Sequence, residues 1–148
     1  MRHVAQKRVK FGHCDPAKIT YYPRYFEWFH DAFEEMFEPI TGMHYAKLIE
    51  TYGVGYPAVQ VACDYRAPSR WGDLVDIEIF VSRLREKSAT FEYRVRKAGQ
   101  LLASASVKIA TMDIKTHKSA PMPKAVFEAL QPYLETDDEE LPQTERIR

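Results

Sequence analysis

Polar and apolar positions alternate most regularly in the second half of the chain. Over residues 73–84, Val75, Ile77, Ile79 and Val81 stand against Asp76, Glu78 and Ser82, with Phe80 as the exception, which is the period of a half-buried β-strand. Residues 89–96 repeat that period through Phe91, Tyr93 and Val95. The Ala98-Gly99-Gln100 connection then leads into a long strand over 101–113, in which Leu101, Ala103, Ala105, Val107 and Ile109 share one face. Three such neighbours predict an antiparallel meander. A run at 4–11, where Val9 and Phe11 alternate with Arg8 and Lys10, and another at 56–65 predict two further strands.

Between Pro23 and Phe37 the period changes. Phe26, Phe29, Phe33, Met36 and Phe37 recur at helical spacing, while Glu27, Asp31, Glu34, Glu35 and Glu38 fall largely elsewhere. Pro23 suits the first helical position, because its fixed φ fits and its missing N–H would have been unpaired there anyway; Tyr22 then becomes the cap. Pro39 and Gly42 are expected to interrupt this helix. Residues 45–52 predict a second, short helix ended by Gly53 and Gly55, and Pro123 starts a third through Leu130 on Val126, Phe127 and Leu130. The order is strand, long helix, short helix, then four strands. It predicts an α+β domain in which a curved antiparallel sheet wraps one strongly apolar helix. Residues 1–134 are read as that single domain and 135–148 as a charged C-terminal tail, expected to be mobile from Asp137 onward.

Composition narrows the function classes. The 148 residues are 45% hydrophobic, enough for one real core. Twenty-one basic residues balance twenty-one acidic ones, so no bulk field favours nucleic acid or an acidic membrane. Cys14 and Cys63 are too few for a disulfide scaffold and fit a reducing compartment. The first ten residues lack the apolar run of a signal peptide, and no segment approaches ~18 apolar residues. The expectation is a cytoplasmic protein. Histidines 3, 13, 30, 44 and 117 are scattered and the cysteines unpaired in spacing, so no metal site is expected. Gly-rich phosphate loops, a Gly-x-Ser-x-Gly elbow and a dinucleotide fingerprint are all missing from the sequence.

The candidate chemistry lies at Asp15. Pro16 biases Asp15 toward an extended conformation, seven residues ahead of the helix that Tyr22 and Pro23 begin. The first turn of that helix offers unpaired N–H donors and about half a positive charge, which stabilise negative charge developing on a carbonyl oxygen. A carboxylate beside it can attack an acyl carbon or deprotonate water. The plain alternative is that Asp15 starts a turn, as Asp-Pro pairs commonly do. His13 and Cys14 do not make a thiolate–imidazole pair, because adjacent residues of an extended chain point to opposite faces.

The Cys14-Asp15-Pro16-Ala17 turn and the Tyr21-Tyr22-Pro23-Arg24-Tyr25 helix start, in this order of elements, resemble the 4-hydroxybenzoyl-CoA thioesterase family of hot-dog-fold proteins. Asp64-Tyr65-Arg66-Ala67-Pro68 with Trp71-Gly72-Asp73, the Arg85-Glu86-Lys87-Ser88 turn and the final strand agree with it, and the likeness reaches about Pro123. The resemblance implies hydrolysis of an acyl-CoA thioester without metal or cofactor, coenzyme A being part of the substrate. It implies a site between the subunits of a homodimer that often pairs into a tetramer. Asp15 corresponds to the catalytic carboxylate, as nucleophile or general base, and the Tyr22 N–H to the donor facing the thioester oxygen. Arg85, Lys87 and Lys118 correspond to contacts with the nucleotide phosphates.

Tyr25, within an aromatic cluster over 21–29, and Trp71, for a neighbouring subunit, are the expected acyl contacts. The chain departs from the family pattern where Tyr22 replaces a common His and where His30 takes a position that is acidic in the aromatic acyl-CoA enzyme. On the same fold, a hydratase or dehydratase using His13 or His30, or a non-catalytic acyl-CoA binding module, are the alternatives. The acyl group is not written in the sequence, since pocket depth depends on packing across subunits.

Overall fold

The computed structural model of the chain describes residues 1–137 and Pro142. Strands β1 (His3–Arg8), β3 (Ala58–Tyr65), β4 (Leu74–Leu84), β5 (Ser88–Lys97) and β6 (Gln100–Ala110) form one antiparallel sheet in the order β1-β4-β5-β6-β3. A two-stranded ribbon pairs β2 (Val54–Gly55) with β7 (Met112–Asp113). Helices α1 (Arg24–Thr41), α2 (Tyr45–Tyr52) and α3 (Lys124–Leu130) complete the order. This is the α+β architecture that the patterning predicts, a sheet wrapped around one long helix, and the hot-dog fold that the resemblance implies.

The core lies between α1 and one face of the sheet. Alternation sends Val75, Ile77, Ile79 and Val81, then Phe91, Tyr93 and Val95, then Ala103, Ala105 and Ile109 to that face, and all are buried. Tyr25, Trp28, Phe29, Ala32, Phe33, Met36 and Phe37 meet them from α1 at the three-and-four spacing of a helix stripe. Phe26, read by its spacing as part of that stripe, is 39% exposed, and its neighbour Tyr25 is buried in its place.

Three expectations are corrected. The first strand stops at Arg8, and 11–13 forms a 3-10 turn, because Val9 instead closes backbone bonds with the 72–73 turn (Val9 N to Asp73 O, 2.8 Å; Gly72 N to Val9 O, 2.7 Å). Pro39 sits inside α1 rather than ending it. It is exposed near the final turn, where the Thr41 hydroxyl donates to Phe37 O (2.6 Å), and Gly42 at φ 81° makes the stop. The tail does not come free at Asp137. Glu135 N donates to Val81 O (2.8 Å), Arg2 binds the carboxylates of Glu135 (2.7 Å) and Asp137 (3.3 Å), and Arg94 binds Asp137 (3.4 Å). The remainder of the expected tail, 138–141 and 143–148, lies outside the described residues.

Phe80, the break in the alternation, belongs to the outer sheet face, where the guanidinium groups of Arg2 (4.1 Å) and Arg94 (5.2 Å) stand over its ring. Beside it the buried Glu92 carboxylate accepts from Ser82 (3.0 Å) and from Ser106, with Arg94 at 3.6 Å. Burial pushes the Glu92 carboxyl upward against these partners.

Candidate active site

Beyond β1 the chain turns through the 3-10 segment Phe11–His13, where His13 Nδ1 accepts the Lys10 N–H (2.9 Å) and the imidazole edge meets Trp28 (5.4 Å). Cys14 and Thr20 then pair as an isolated antiparallel bridge, making 15–19 a tight loop. Within it Lys18 N donates to Asp15 O (2.8 Å) and Ala17 N to Asp15 Oδ1 (2.9 Å). Asp15 therefore does begin a turn, and the turn is what orients its carboxylate. One oxygen is held by the Ala17 N–H. The other, Oδ2, has no partner among the described residues, and the residue is half-buried.

The returning limb is clamped to a distant segment. Thr20 N donates to Ser69 O (2.7 Å), the Thr20 and Ser69 hydroxyls are 2.7 Å apart, and the Tyr25 hydroxyl lies 2.9 Å from Ser69 Oγ. Tyr21 N donates to His13 O (2.8 Å), tying the two limbs together, and the Tyr65 hydroxyl donates to Tyr22 O (2.9 Å). Ser69, 2% exposed, thus joins loop and helix, a role with no local sequence signal.

The clamped limb runs straight into α1. Arg24 N to Tyr21 O (2.9 Å), Tyr25 N to Tyr22 O (3.2 Å) and Phe26 N to Pro23 O (3.1 Å) tighten the start into 3-10 geometry. Pro23, at φ −65° and ψ −18°, is the cap, one residue later than expected. The Tyr22 N–H donates to no described residue. It is an available donor at the electropositive end of an 18-residue helix, on the limb opposite Asp15.

Tyr25 differs from the acyl contact expected of it. It is 2% exposed, its ring packs on Trp28 (4.9 Å) and Tyr65 (5.1 Å), and its hydroxyl is engaged by Ser69, so it braces the helix start. Trp71 sits at the loop rim against Phe11 (5.4 Å), with the Arg70 guanidinium 4.9 Å from its ring. Cys63, on the same face of β3 as Tyr65, is a half-buried thiol whose pKa burial pushes up to about 11, which suits packing rather than nucleophilic attack.

One turn along α1 from Tyr22, a chamber of about 320 Å³ opens between the helix and the sheet. Phe26, His30 and Phe33 line it from α1, Val61 from β3 and Tyr93 from β5, with Tyr56 at the approach to β3.

Arg85, Lys87 and Lys118 cluster elsewhere. Thr111 N donates to Lys87 O (3.0 Å), Met122 N to Glu86 O (2.8 Å) and Asp113 N to Lys118 O (2.8 Å), which gathers the β4–β5 turn and the 111–122 segment. All three cations are exposed and make no ion pair among the described residues. Leu74, at the start of β4, pairs with Arg8 near the Asp15 loop, and Leu84, at the other end, leads into the cationic turn. Ten steps of about 3.3 Å separate those ends by roughly 33 Å. One chain therefore unites Asp15, Tyr22, Tyr25 and Trp71 but not the three cations. Among the described residues β3 pairs only with β6, so no described strand covers its other edge, and Val59, Val61 and Tyr65 are exposed.

A hot-dog sheet with a turn-held carboxylate beside the start of its central helix defines a class, and the comparisons agree with it. Residues 9–130 match the thioesterase-like superfamily, and the chain belongs to it. A 1,4-dihydroxy-2-naphthoyl-CoA hydrolase of Prochlorococcus marinus is 23% identical over 131 residues, 82% of each chain. The acyl-CoA thioesterase YbgC of Haemophilus influenzae is 27% identical over 119 residues, 80% of this chain and 87% of that one. The solved structure of the BH1999 gentisyl-coenzyme A thioesterase superposes with a TM-score of 0.75 at 31% identity, over 86% of this chain and 98% of that one.

Proposed function

We propose that this chain hydrolyses an acyl-CoA thioester, with the Asp15 carboxylate as the reacting group and the Tyr22 N–H as donor to the thioester oxygen. The reading is carried by one feature: a carboxylate with one oxygen held by its own turn and the other unpartnered, on the loop whose far limb offers the free N–H. Asp15 Oδ2 either takes a proton from water, whose oxygen bonds to the acyl carbon, or bonds to that carbon directly. In both routes the oxyanion collapses, the C–S bond breaks and the CoA thiolate leaves and is protonated. In the direct route water then cleaves the acyl-aspartyl anhydride. Negative charge on the carbonyl oxygen is met by the helix start as it develops.

The three cations matched to the phosphates of CoA lie at the other end of the subunit from Asp15. Antiparallel pairing of two open β3 edges about a two-fold axis would set the Ala58 end of one strand against the Tyr65 end of the other. That brings Arg85, Lys87 and Lys118 of the partner subunit to the Asp15 end, so a cytoplasmic homodimer, itself able to pair into a tetramer, is the working unit. Trp71 edges the acyl site there.

Release of free thiol from acyl-CoAs, followed with a thiol reagent, tests the proposal. Asp15→Asn should cut kcat about 100-fold or more while the melting temperature stays close to wild type. Unchanged turnover in that variant would exclude the role. Hydration of an enoyl-CoA without thiol release would point to the hydratase alternative.

A further inference from the structure

Backbone donors around the start of α1 are engaged, with one exception. Thr20 N donates to Ser69 O (2.7 Å), Tyr21 N to His13 O (2.8 Å), Arg24 N to Tyr21 O (2.9 Å), Tyr25 N to Tyr22 O (3.2 Å) and Phe26 N to Pro23 O (3.1 Å), while Pro23 has no N–H to give. Along this stretch the Tyr22 N–H alone has no partner among the described residues. No other amide of the stretch can take its place, so its effect on a developing oxyanion depends on how firmly its own backbone is held.

The peptide that carries this N–H has its carbonyl, Tyr21 O, bonded to Arg24 N within the same turn. The next carbonyl, Tyr22 O, accepts the Tyr25 N–H at 3.2 Å and the Tyr65 hydroxyl at 2.9 Å. The second of these bonds comes from outside the turn: Tyr65 is the last residue of β3, set in the sheet opposite Ala103 of β6. Tyr22 itself is 60% exposed, so packing does little to fix it. The Tyr65 ring stands edge-on to Tyr25 (5.1 Å) and Tyr22 (6.1 Å), contacts that a phenylalanine would keep. Tyr65 is exposed, so water can replace its hydroxyl at Tyr22 O with little loss of stability, but not with the same geometry. Partial burial first, then the neighbouring Cys63, pushes the phenol upward, so it remains a protonated donor at neutral pH.

We infer that Tyr65 is a positioning residue: by bonding Tyr22 O from the end of β3, it holds the first turn of α1 in the orientation that aims the Tyr22 N–H at the thioester oxygen. This rests on the proposed thioesterase reading, in which that N–H meets the charge on the carbonyl. The Tyr65 hydroxyl touches no reacting atom and acts through Tyr22. Because the carbonyl oxygen gains its charge only on the way to the transition state, the effect falls on kcat and not on KM.

The test compares Tyr65→Phe with wild type on 4-hydroxybenzoyl-CoA, benzoyl-CoA and hexanoyl-CoA by thiol release, and measures the Kd of S-hexyl-CoA, a thioether with no carbonyl oxygen. Removing an oxyanion donor outright costs about 100-fold or more in kcat, so a donor present but loosely held should cost about tenfold. The expected result is that loss in kcat, with KM, the thioether Kd and the melting temperature close to wild type. A wild-type kcat in Tyr65→Phe overturns the inference. So does weaker thioether binding in step with the kcat loss, which would make the hydroxyl part of ligand binding, or a variant that fails to fold or melts far below wild type, which would make it a stability contact. Asp15→Asn separates the two claims. If it is inactive while Tyr65→Phe is unimpaired, the thioesterase reading stands and this inference alone falls. If Asp15→Asn turns over like wild type, or wild type releases no thiol from any ester, both fall.

Discussion

At the Asp15 end of the sheet, backbone and hydroxyl groups are bonded inward: Thr20, Tyr25 and Ser69 close on one another, Tyr65 holds Tyr22, and Tyr21 is tied to His13. At the far end the backbone is bonded just as firmly, through Lys87 with Thr111 and Glu86 with Met122, but the Arg85, Lys87 and Lys118 side chains are exposed and make no ion pair among the described residues. One end fixes geometry; the other presents the three matched cations. Positioning a reacting carboxylate needs sub-ångström order, whereas attraction to phosphate tolerates mobile cations and acts over a Debye length of about 8 Å. On the proposed reading, a small domain separates the two tasks by the length of a strand and recovers them through a symmetric partner.

The ordered end should be the more fragile. Ser69→Ala removes the one partner of the Tyr25 hydroxyl among the described residues, while Thr20 keeps its bond to Ser69 O (3.1 Å). The expected loss is about 1–3 kcal/mol of stability, and about tenfold in kcat as the loop loses register. Tyr25→Phe, which leaves Ser69 bonded to Thr20, should cost less in both readouts. If Ser69→Ala melts and turns over like wild type, the two ends do not differ in the way described.

How much of this was legible in the sequence follows from the same contrast. Hydrophobic period reports which face of an element is buried, so the long helix, the three-strand meander and the burial of Phe29, Phe33, Met36, Val75 and Ile77 could all be read. The turn that orients Asp15 was readable because Pro16 and the Ala17 N–H, which hold it, are local. Ser69 was not, since its partners Thr20 and Tyr25 lie 49 and 44 residues away and nothing around it is periodic. The helix through Pro39 was hidden for a different reason: exposure and a Thr41 side-chain bond let a helix breaker sit near a helix end. The cations were found as residues, but their distance from Asp15 appears only when strand length is laid on strand order.

Charge removal at the far end should have a smaller and different effect. Arg85→Ala combined with Lys87→Ala is expected to raise KM for an acyl-CoA about tenfold with little change in kcat, since the lost contacts bind ground state and transition state alike. A mixture sharpens the comparison. When Asp15→Asn and Arg85→Ala/Lys87→Ala subunits are dissociated together and reassociated, half the dimers become mixed, and each mixed dimer regains one intact site. About a quarter of all sites then show wild-type KM if the ends combine across a two-fold axis. Activity at low substrate that never exceeds the mean of the two parents would mean that both tasks belong to one subunit, against the strand geometry.

The smallest effect expected is a pH response confined to the ordered end. Burial first, then the nearby Arg24 and Lys10 charges, hold His13 below the usual histidine range, and its Nδ1 must stay unprotonated to accept the Lys10 N–H. Because the folded value lies below the unfolded one, about 6.5, the unfolded chain takes up the proton first as pH falls. The His13 contribution is thus intact above about 6.5 and is lost as pH drops through the lowered folded value. Burial gives His3 the same direction. Melting temperature should therefore decline between pH 7.5 and 5.5, with a shallower slope in His13→Gln. Hydrogen-exchange protection factors locate the change: the Lys10 and Tyr21 amides should lose protection at pH 5.5, while those of Thr111 and Met122, bonded at the cationic end, should hold theirs. Equal loss at both ends would trace the acid response to global unfolding instead of to this loop.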